Sequence, residues 1–203
     1  MIVKVCGMTD SDNILKAVDA GADIIGMIFY APSPRCIHSI PAIPCNIRRF
    51  GVFVNDSIDH IVTTVEAYRL HGVQLHGSES PDYLAALSRR LPNVEIAKVL
   101  SISTAEDFEK ADDYASVASM LVFDTKCASY GGSGVKFPWS LLESYHGKMP
   151  FLLSGGISPA DAEAISKIKH PKMLGIDLNS RFELSPGIKD INKLKLFISQ
   201  VKK

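Results

Sequence analysis

The sequence predicts a single α/β domain over residues 1–203, built as a (β/α)8 TIM barrel with short loops. Three observations point there. Short apolar runs recur along the chain, ending near Cys6, Phe29, Val54, Leu75, Val99, Asp124, Leu153 and Leu178. Their ends lie about 21 to 29 residues apart, the length of one strand-plus-helix unit. The runs are rich in Val, Ile, Leu and Phe, as strands covered on both faces are. Eight such units joined by right-handed crossovers close into a barrel. An open doubly wound sheet is the alternative. It usually follows its first strand with G-x-G-x-x-G, whereas here Cys6-Gly7-Met8-Thr9-Asp10 follows.

Each unit has its own signals. The first run, Ile2-Val3-Lys4-Val5, precedes a helix expected over 11–20 that Gly21 stops. After the second run, Pro41 and Pro44 restrict any helix around 40–49 to a short piece. A helix over 58–70 follows the third run and ends before Gly72. Ser80-Pro81 supplies a cap and a proline suited to the first position of a helix over 81–91. Further helices are expected over 104–112 and 139–146, then over 159–168 behind Ser158-Pro159, and over 190–201.

Composition excludes several classes. With 46% hydrophobic and 22% charged residues, the chain is neither disordered, collagen-like nor a coiled coil. Lys plus Arg and Asp plus Glu both number 22, and no basic run exceeds Arg48-Arg49 or Lys202-Lys203, so no nucleic-acid partner is expected. No apolar stretch approaches the ~20 residues that span a bilayer, so no membrane partner is expected either. The chain starts directly on a strand-like run without a secretory pattern, which points to the cytoplasm. Cys6, Cys36, Cys45 and Cys127 form no C-x-x-C pair, so free thiols are expected and no metal site.

Alternation along the strands sorts the side chains. Val3, Val5, Val73, Leu75, Leu121, Phe123, Ile176 and Leu178 should face the helices. Lys4, Cys6, Gln74, His76, Lys98, Asp124 and Asp177 should face inward. A lone buried cysteine is usually a small core hydrophobe, a strand-end Asp is often a cap, and a rim His is often just a satisfied polar residue. Several polar groups converging on one mouth are a different matter, because buried charge is costly without a partner or a purpose. The C-terminal mouth is where such barrels carry active sites.

Ser154-Gly155-Gly156-Ile157-Ser158-Pro159 follows the seventh strand, and Asn179-Ser180-Arg181 the eighth. Glycines let backbone N–H groups approach an anion, and these two loops often hold a substrate phosphate in barrels. A small phosphorylated molecule is therefore the leading ligand class. The loop from Thr125 to Gly134 carries three glycines in four residues, which suits a mobile lid.

These motifs together resemble the phosphoribosylanthranilate isomerase family of tryptophan biosynthesis. The carrying residues are Lys4-Val5-Cys6-Gly7-Met8-Thr9, Gly21-Ala22-Asp23 with Gly26, Ser33-Pro34-Arg35, Gly51-Val52-Phe53-Val54-Asn55 and Gln74-Leu75-His76-Gly77. Asp124-Thr125 with Gly131-Gly132-Ser133-Gly134, Phe137, Trp139, Ser154-Gly155-Gly156, Asp177, Ser180, Glu183, Pro186-Gly187 and Lys189-Asp190 complete the set. The resemblance implies an Amadori rearrangement of N-(5′-phosphoribosyl)anthranilate to the 1-(2-carboxyphenylamino)-1-deoxyribulose 5-phosphate. That chemistry needs one general acid and one general base, with no redox cofactor or metal. It implies Cys6 as base and Asp124 as acid. It places the anthranilate carboxylate on Arg35, further substrate contacts on His76 and Asp177, and the phosphate on Gly155, Gly156, Ser180 and Asn179. An acid at neutral pH needs a raised carboxyl pKa, and a thiolate base needs a thiol brought down from ~8.5.

Arg181 is a departure, because the family usually has glycine there. If the position requires positive φ, arginine is strained; otherwise it adds a cation or faces solvent. A histidine-pathway phosphosugar isomerase usually uses two aspartates, and Cys6 argues against it. Indoleglycerol-phosphate synthase carries an extra N-terminal segment. A non-catalytic phosphometabolite-binding barrel would lack reason to keep both Cys6 and Asp124. Monomer and homodimer are both compatible with the sequence.

Overall fold

In a computed structural model, which describes residues 1–125 and 136–202, the chain forms a closed barrel of eight parallel strands. They are β1 (Ile2–Val5), β2 (Ile24–Ile28), β3 (Arg48–Phe53), β4 (Gly72–Leu75), β5 (Glu95–Ile102), β6 (Met120–Thr125), β7 (Phe151–Leu153) and β8 (Met173–Leu178). Each pairs with its sequence neighbour, and β8 pairs with β1 to close the ring, Lys4 opposite Asp177. A short hairpin follows, β9 (Glu183–Ser185) and β10 (Ile188–Lys189).

The outer layer contains α1 (Ser11–Asp19), α2 (Ile58–Tyr68), α3 (Pro81–Arg90), α4 (Ala162–Lys167) and α5 (Ile191–Val201). Asp10, Ser57, Ser80 and Asp190 cap four of them, each side chain accepting from a backbone N–H three residues on. Pro81 sits in the first turn of α3, where its missing N–H costs nothing.

Two expected α-helices are 3-10 segments, Ala105–Tyr114 and Trp139–Ser144. In the first, Phe108, Ala111 and Tyr114 recur every third residue. A three-residue turn puts all of them on one face against the core. After β2 the chain runs through turns with no helix up to β3, as its prolines require.

The strand register stacks the inward side chains of alternate strands in tiers. Lys4 shares a tier with Phe50, Ala97 and Leu152, and Gly26 with Gln74, Val122 and Asp177. Above them come Cys6, Val52, Val99 and Ser154, and then a rim of Ile28, His76, Asp124 and Asn179. Ile24, Phe50, Ala97, Val99, Met120, Val122 and Leu152 pack as one apolar interior cluster. Val3, Val5, Leu121, Phe123, Ile176 and Leu178 pack instead with the helices, as alternation requires.

Lys98 departs from its expected place. Gln74 pairs with Ala97, so Ala97 points inward and Lys98 points toward the helices. There its Nζ donates to Glu79 Oε2 at 2.9 Å and to the Gly77 carbonyl at 2.6 Å. Both charged side chains are nearly inaccessible, and the carboxylate makes the buried position tolerable. Glu79 also accepts from the backbone N–H groups of Asn55 and Gly77, so this ion pair fastens the loops after β3 and β4.

The seam that closes the barrel is tight. A Cβ on Gly175 would lie 1.9 Å from the Ile2 carbonyl oxygen, which belongs to the paired strand and cannot rotate away. Gly175→Ala is therefore expected to cost at least about 2 kcal/mol of stability, read as a lower urea midpoint. An unchanged midpoint would show that the seam yields.

Candidate active site

The C-terminal ends of β1, β4, β6 and β8 bring the predicted polar residues to one mouth. Lys4 Nζ donates to Asp177 Oδ2 at 2.6 Å, with both side chains buried. Burial pulls the Lys4 ammonium down, but the Asp177 charge beside it, with help from Cys6, carries it above its ordinary value. Asp177 Oδ1 is also buried and takes no hydrogen bond from the described residues.

Cys6 continues β1 by one residue, its N–H donating to the Leu178 carbonyl at 2.8 Å. Only 4% of it is exposed. Burial pushes its thiol up; the charges of Lys4 and Lys189 pull it down, and Asp177 opposes them. The net direction is upward. The expectation of a depressed thiol is thus corrected for the free protein, because desolvation of the thiolate outweighs two nearby cations.

Asp124 faces the same mouth from β6. Its Oδ1 accepts from the Thr125 N–H at 2.8 Å, and Oδ2 lies 3.3 Å from His76 Nε2. His76 is held at its backbone by the Phe53 carbonyl, 2.9 Å away. Gly155 packs close behind Asp124, with φ of 87°, and Gly156 follows at 66°. A Cβ on Gly155 would meet Thr125 Oγ1 at 2.3 Å and Asp124 Oδ1 at 3.0 Å. Only glycine combines that backbone with that approach.

Arg35 arrives from the loop after β2 and crosses the chain beside Cys6. Gly7, at φ 71°, makes room: a Cβ there would meet Arg35 Cδ at 2.7 Å and Asn179 Oδ1 at 2.9 Å. Arg35 Nε donates to Glu183 Oε1 at 2.8 Å and Nη2 to Oε2 at 2.6 Å. This contact holds the guanidinium above its ordinary range. Lys189 Nζ reaches Glu183 Oε1 and Asn179 Oδ1, each at 2.7 Å. Burial pulls Lys189 below its ordinary value despite Glu183. Burial would raise Glu183, but Arg35 and Lys189 hold it low.

The sequence assigns no role to Glu183 or Lys189. A strand of three residues and one of two, joined at Pro186-Gly187, give no periodicity to read. Asn179 lies at the mouth as expected, but its side-chain oxygen turns to Lys189. Ser180 and Arg181 lie in a 3-10 turn, Ser180–Phe182. Arg181 is exposed and is not among the residues with positive φ, so replacing glycine there brings no backbone strain. The glycine-rich segment expected to act as a lid lies, beyond Thr125, outside the described residues.

The family described as N-(5′-phosphoribosyl)anthranilate (PRA) isomerase matches residues 3–200. The N-(5′-phosphoribosyl)anthranilate isomerase of Parabacteroides distasonis is 44% identical, covering 99% of this chain and 93% of its own. That of Thermotoga neapolitana is 35% identical, covering 98% of each. Among solved structures, the phosphoribosyl anthranilate isomerase of Thermus thermophilus superposes with a TM-score of 0.87 at 27% identity, over 100% of this chain and 98% of that one. Another, in complex with reduced 1-(o-carboxyphenylamino)-1-deoxyribulose 5-phosphate, has a TM-score of 0.83 at 30% identity, over 100% and 99%.

The upward shift of Cys6 has a direct readout. At about pH 7, iodoacetamide is expected to label the exposed Cys45 well before Cys6. Labelling of Cys6 should still be climbing above about pH 9, beyond an ordinary thiol's midpoint. Peptide mass spectrometry resolves the sites. A Cys6 rate that levels off at or below neutral pH would show that the two lysines outweigh burial.

Proposed function

The chain belongs to the N-(5′-phosphoribosyl)anthranilate isomerase family, and on that premise we propose how the barrel mouth performs the reaction. The enzyme is an isomerase of tryptophan biosynthesis that converts an aldose derivative to a ketose. The observation that carries the residue assignment is the convergence of Cys6, Asp124 and Arg35 on one mouth, each from a different element.

In this reading Asp124 is the general acid. It donates its proton to the furanose ring oxygen, the ring C–O bond breaks, and the anilino nitrogen closes a Schiff base with C1′. Cys6, as thiolate, then takes the proton from C2′, and the electron pair left behind neutralises the iminium as an enolamine. Tautomerisation delivers the 2′-ketone. A thiol raised by burial is a strong base once ionised but is sparsely ionised in the free enzyme. Lys4 and the positive charge on the substrate nitrogen both favour the thiolate when the proton must be accepted.

The remaining contacts follow the ligand's shape. Arg35 takes the anthranilate carboxylate, for which a planar guanidinium is suited. His76 holds Asp124 in place and contacts the sugar, and Asp177 offers its Oδ1, which has no partner among the described residues, to a sugar hydroxyl. Gly155, Gly156 and Ser180, with the backbone of Asn179, bind the phosphate. Two glycines at positive φ let the chain approach an anion closely, and exposed Arg181 adds positive charge to the loop after β8. That a 30% identical structure holds a phosphorylated ligand of this shape supports the ligand class. Unpaired Cys6, Cys36 and Cys45 suit a reducing compartment, and we place the enzyme in the cytoplasm.

Fluorescence-monitored turnover of freshly prepared N-(5′-phosphoribosyl)anthranilate tests the assignment. Cys6→Ala and Asp124→Asn are each expected to lose a factor of at least ~10² in kcat. Near-normal turnover in either variant, with the fold intact by circular dichroism, removes that residue from the mechanism.

A further inference from the structure

Glu183 lies at the start of a two-stranded hairpin, apart from the groups that act on the substrate, yet it is the most heavily bonded carboxylate at the mouth. Its Oε1 accepts from Arg35 Nε, Lys189 Nζ and the Gly187 N–H, and Oε2 accepts from Arg35 Nη2. Its side chain is only 5% exposed. We propose that Glu183 is a positioning residue for substrate discrimination: it clamps Arg35 so that the free end of the guanidinium faces the carboxylate on the substrate's ring.

The geometry of a guanidinium makes this specific. Five N–H groups radiate from one plane. Glu183 occupies the side formed by Nε and Nη2, which leaves the Nη1–Nη2 end for a second carboxylate in the same plane. That end takes no other partner among the described residues. The Arg35 stem is fixed too, lying over Gly7 within the space a Cβ would need. An arginine pinned at stem and flank loses little further freedom on binding, so more of the contact appears as affinity.

Charge and geometry predict opposite outcomes, which makes the inference testable. Arg35, Lys189 and Glu183 together carry one net positive charge. Glu183→Gln raises that to two. If charge alone drew the substrate's carboxylate, the variant would favour it more. If Glu183 acts by orienting Arg35, the variant favours it less.

This inference rests on the reading that Arg35 binds the ring carboxylate, and the experiment separates the two. Wild type, Arg35→Ala and Glu183→Gln are each assayed on N-(5′-phosphoribosyl)anthranilate and on the aniline analogue lacking the carboxylate. The quantity read is the ratio of kcat/KM for the two substrates. Arg35→Ala is expected to collapse the wild-type preference by at least about tenfold. Glu183→Gln is expected to reduce it about tenfold, mainly through KM for the carboxylated substrate; a changed field at Cys6 acts on both substrates alike and cancels in the ratio. A collapse in Arg35→Ala with an unchanged or increased preference in Glu183→Gln overturns the positioning role. An intact preference in Arg35→Ala overturns the carboxylate reading and the inference with it. If Glu183→Gln alone does not fold, Glu183→Gln/Lys189→Met carries the same ratio test. It removes the buried cation left without its carboxylate and restores the net charge of one.

Discussion

The ion pair between Lys4 and Asp177 is the constraint around which the mouth is organised. It joins the first strand to the last, at the seam where an eight-stranded ring must close in register. Both groups are buried, so each gives up several kcal/mol of hydration that their attraction recovers only with good geometry. A pair of apolar residues would close the seam with less risk. What the ion pair adds is a fixed positive charge beneath Cys6, where both charged side chains are almost fully buried. Because Lys4 and Cys6 stand on the same strand two residues apart, the charge follows the thiol wherever the strand goes.

The groups around Cys6 form a cluster in which cations and carboxylates nearly cancel. Lys4 is matched by Asp177, and Glu183 is shared between Arg35 and Lys189. One positive charge is left over. That surplus explains why two lysines oppose the effect of burial on the thiol without reversing it. A fully depressed thiolate would need more uncompensated cations, and so many buried like charges would repel one another. The arrangement keeps the Cys6 thiol above its ordinary value at rest; in the proposed mechanism, a cationic Schiff base in the mouth brings it within reach of ionisation.

Much of this is legible in the sequence, for a definite reason. Strands covered on both faces read as apolar runs, and a charged residue inside such a run must have a partner. Alternation alone places Lys4, Asp124 and Asp177 correctly. It misplaces Lys98, because β5 extends to Ile102 and its register is set by Gln74 opposite Ala97, which local pattern does not reveal. The partner of Lys98, Glu79, lies in a loop from the preceding unit. The same limit hides Glu183 and Lys189, whose hairpin is too short to carry a period. The direction of the Cys6 shift escapes a sequence reading because charges are visible there whereas depth of burial is not.

Short loops impose a final requirement on a barrel of this size. A long loop can fold back on itself and bury its own side chains; a short one must be fastened to what already exists. The segment after β8 shows how. Lys189 exchanges backbone hydrogen bonds with the Asn13 side chain at 2.7 and 2.9 Å, and the Thr9 N–H reaches the Gly187 carbonyl at 3.3 Å. The turn after β8 is thereby tied to the loop and helix that follow β1, across the closing seam. Its charged side chains then do double service, since the contacts that anchor the hairpin also set the angle of Arg35 and the field at Cys6. If Arg35 holds the substrate as proposed, folding and substrate recognition draw on one set of buried charges, and substitutions in this segment alter recognition only by also disturbing how the barrel's last loop is held.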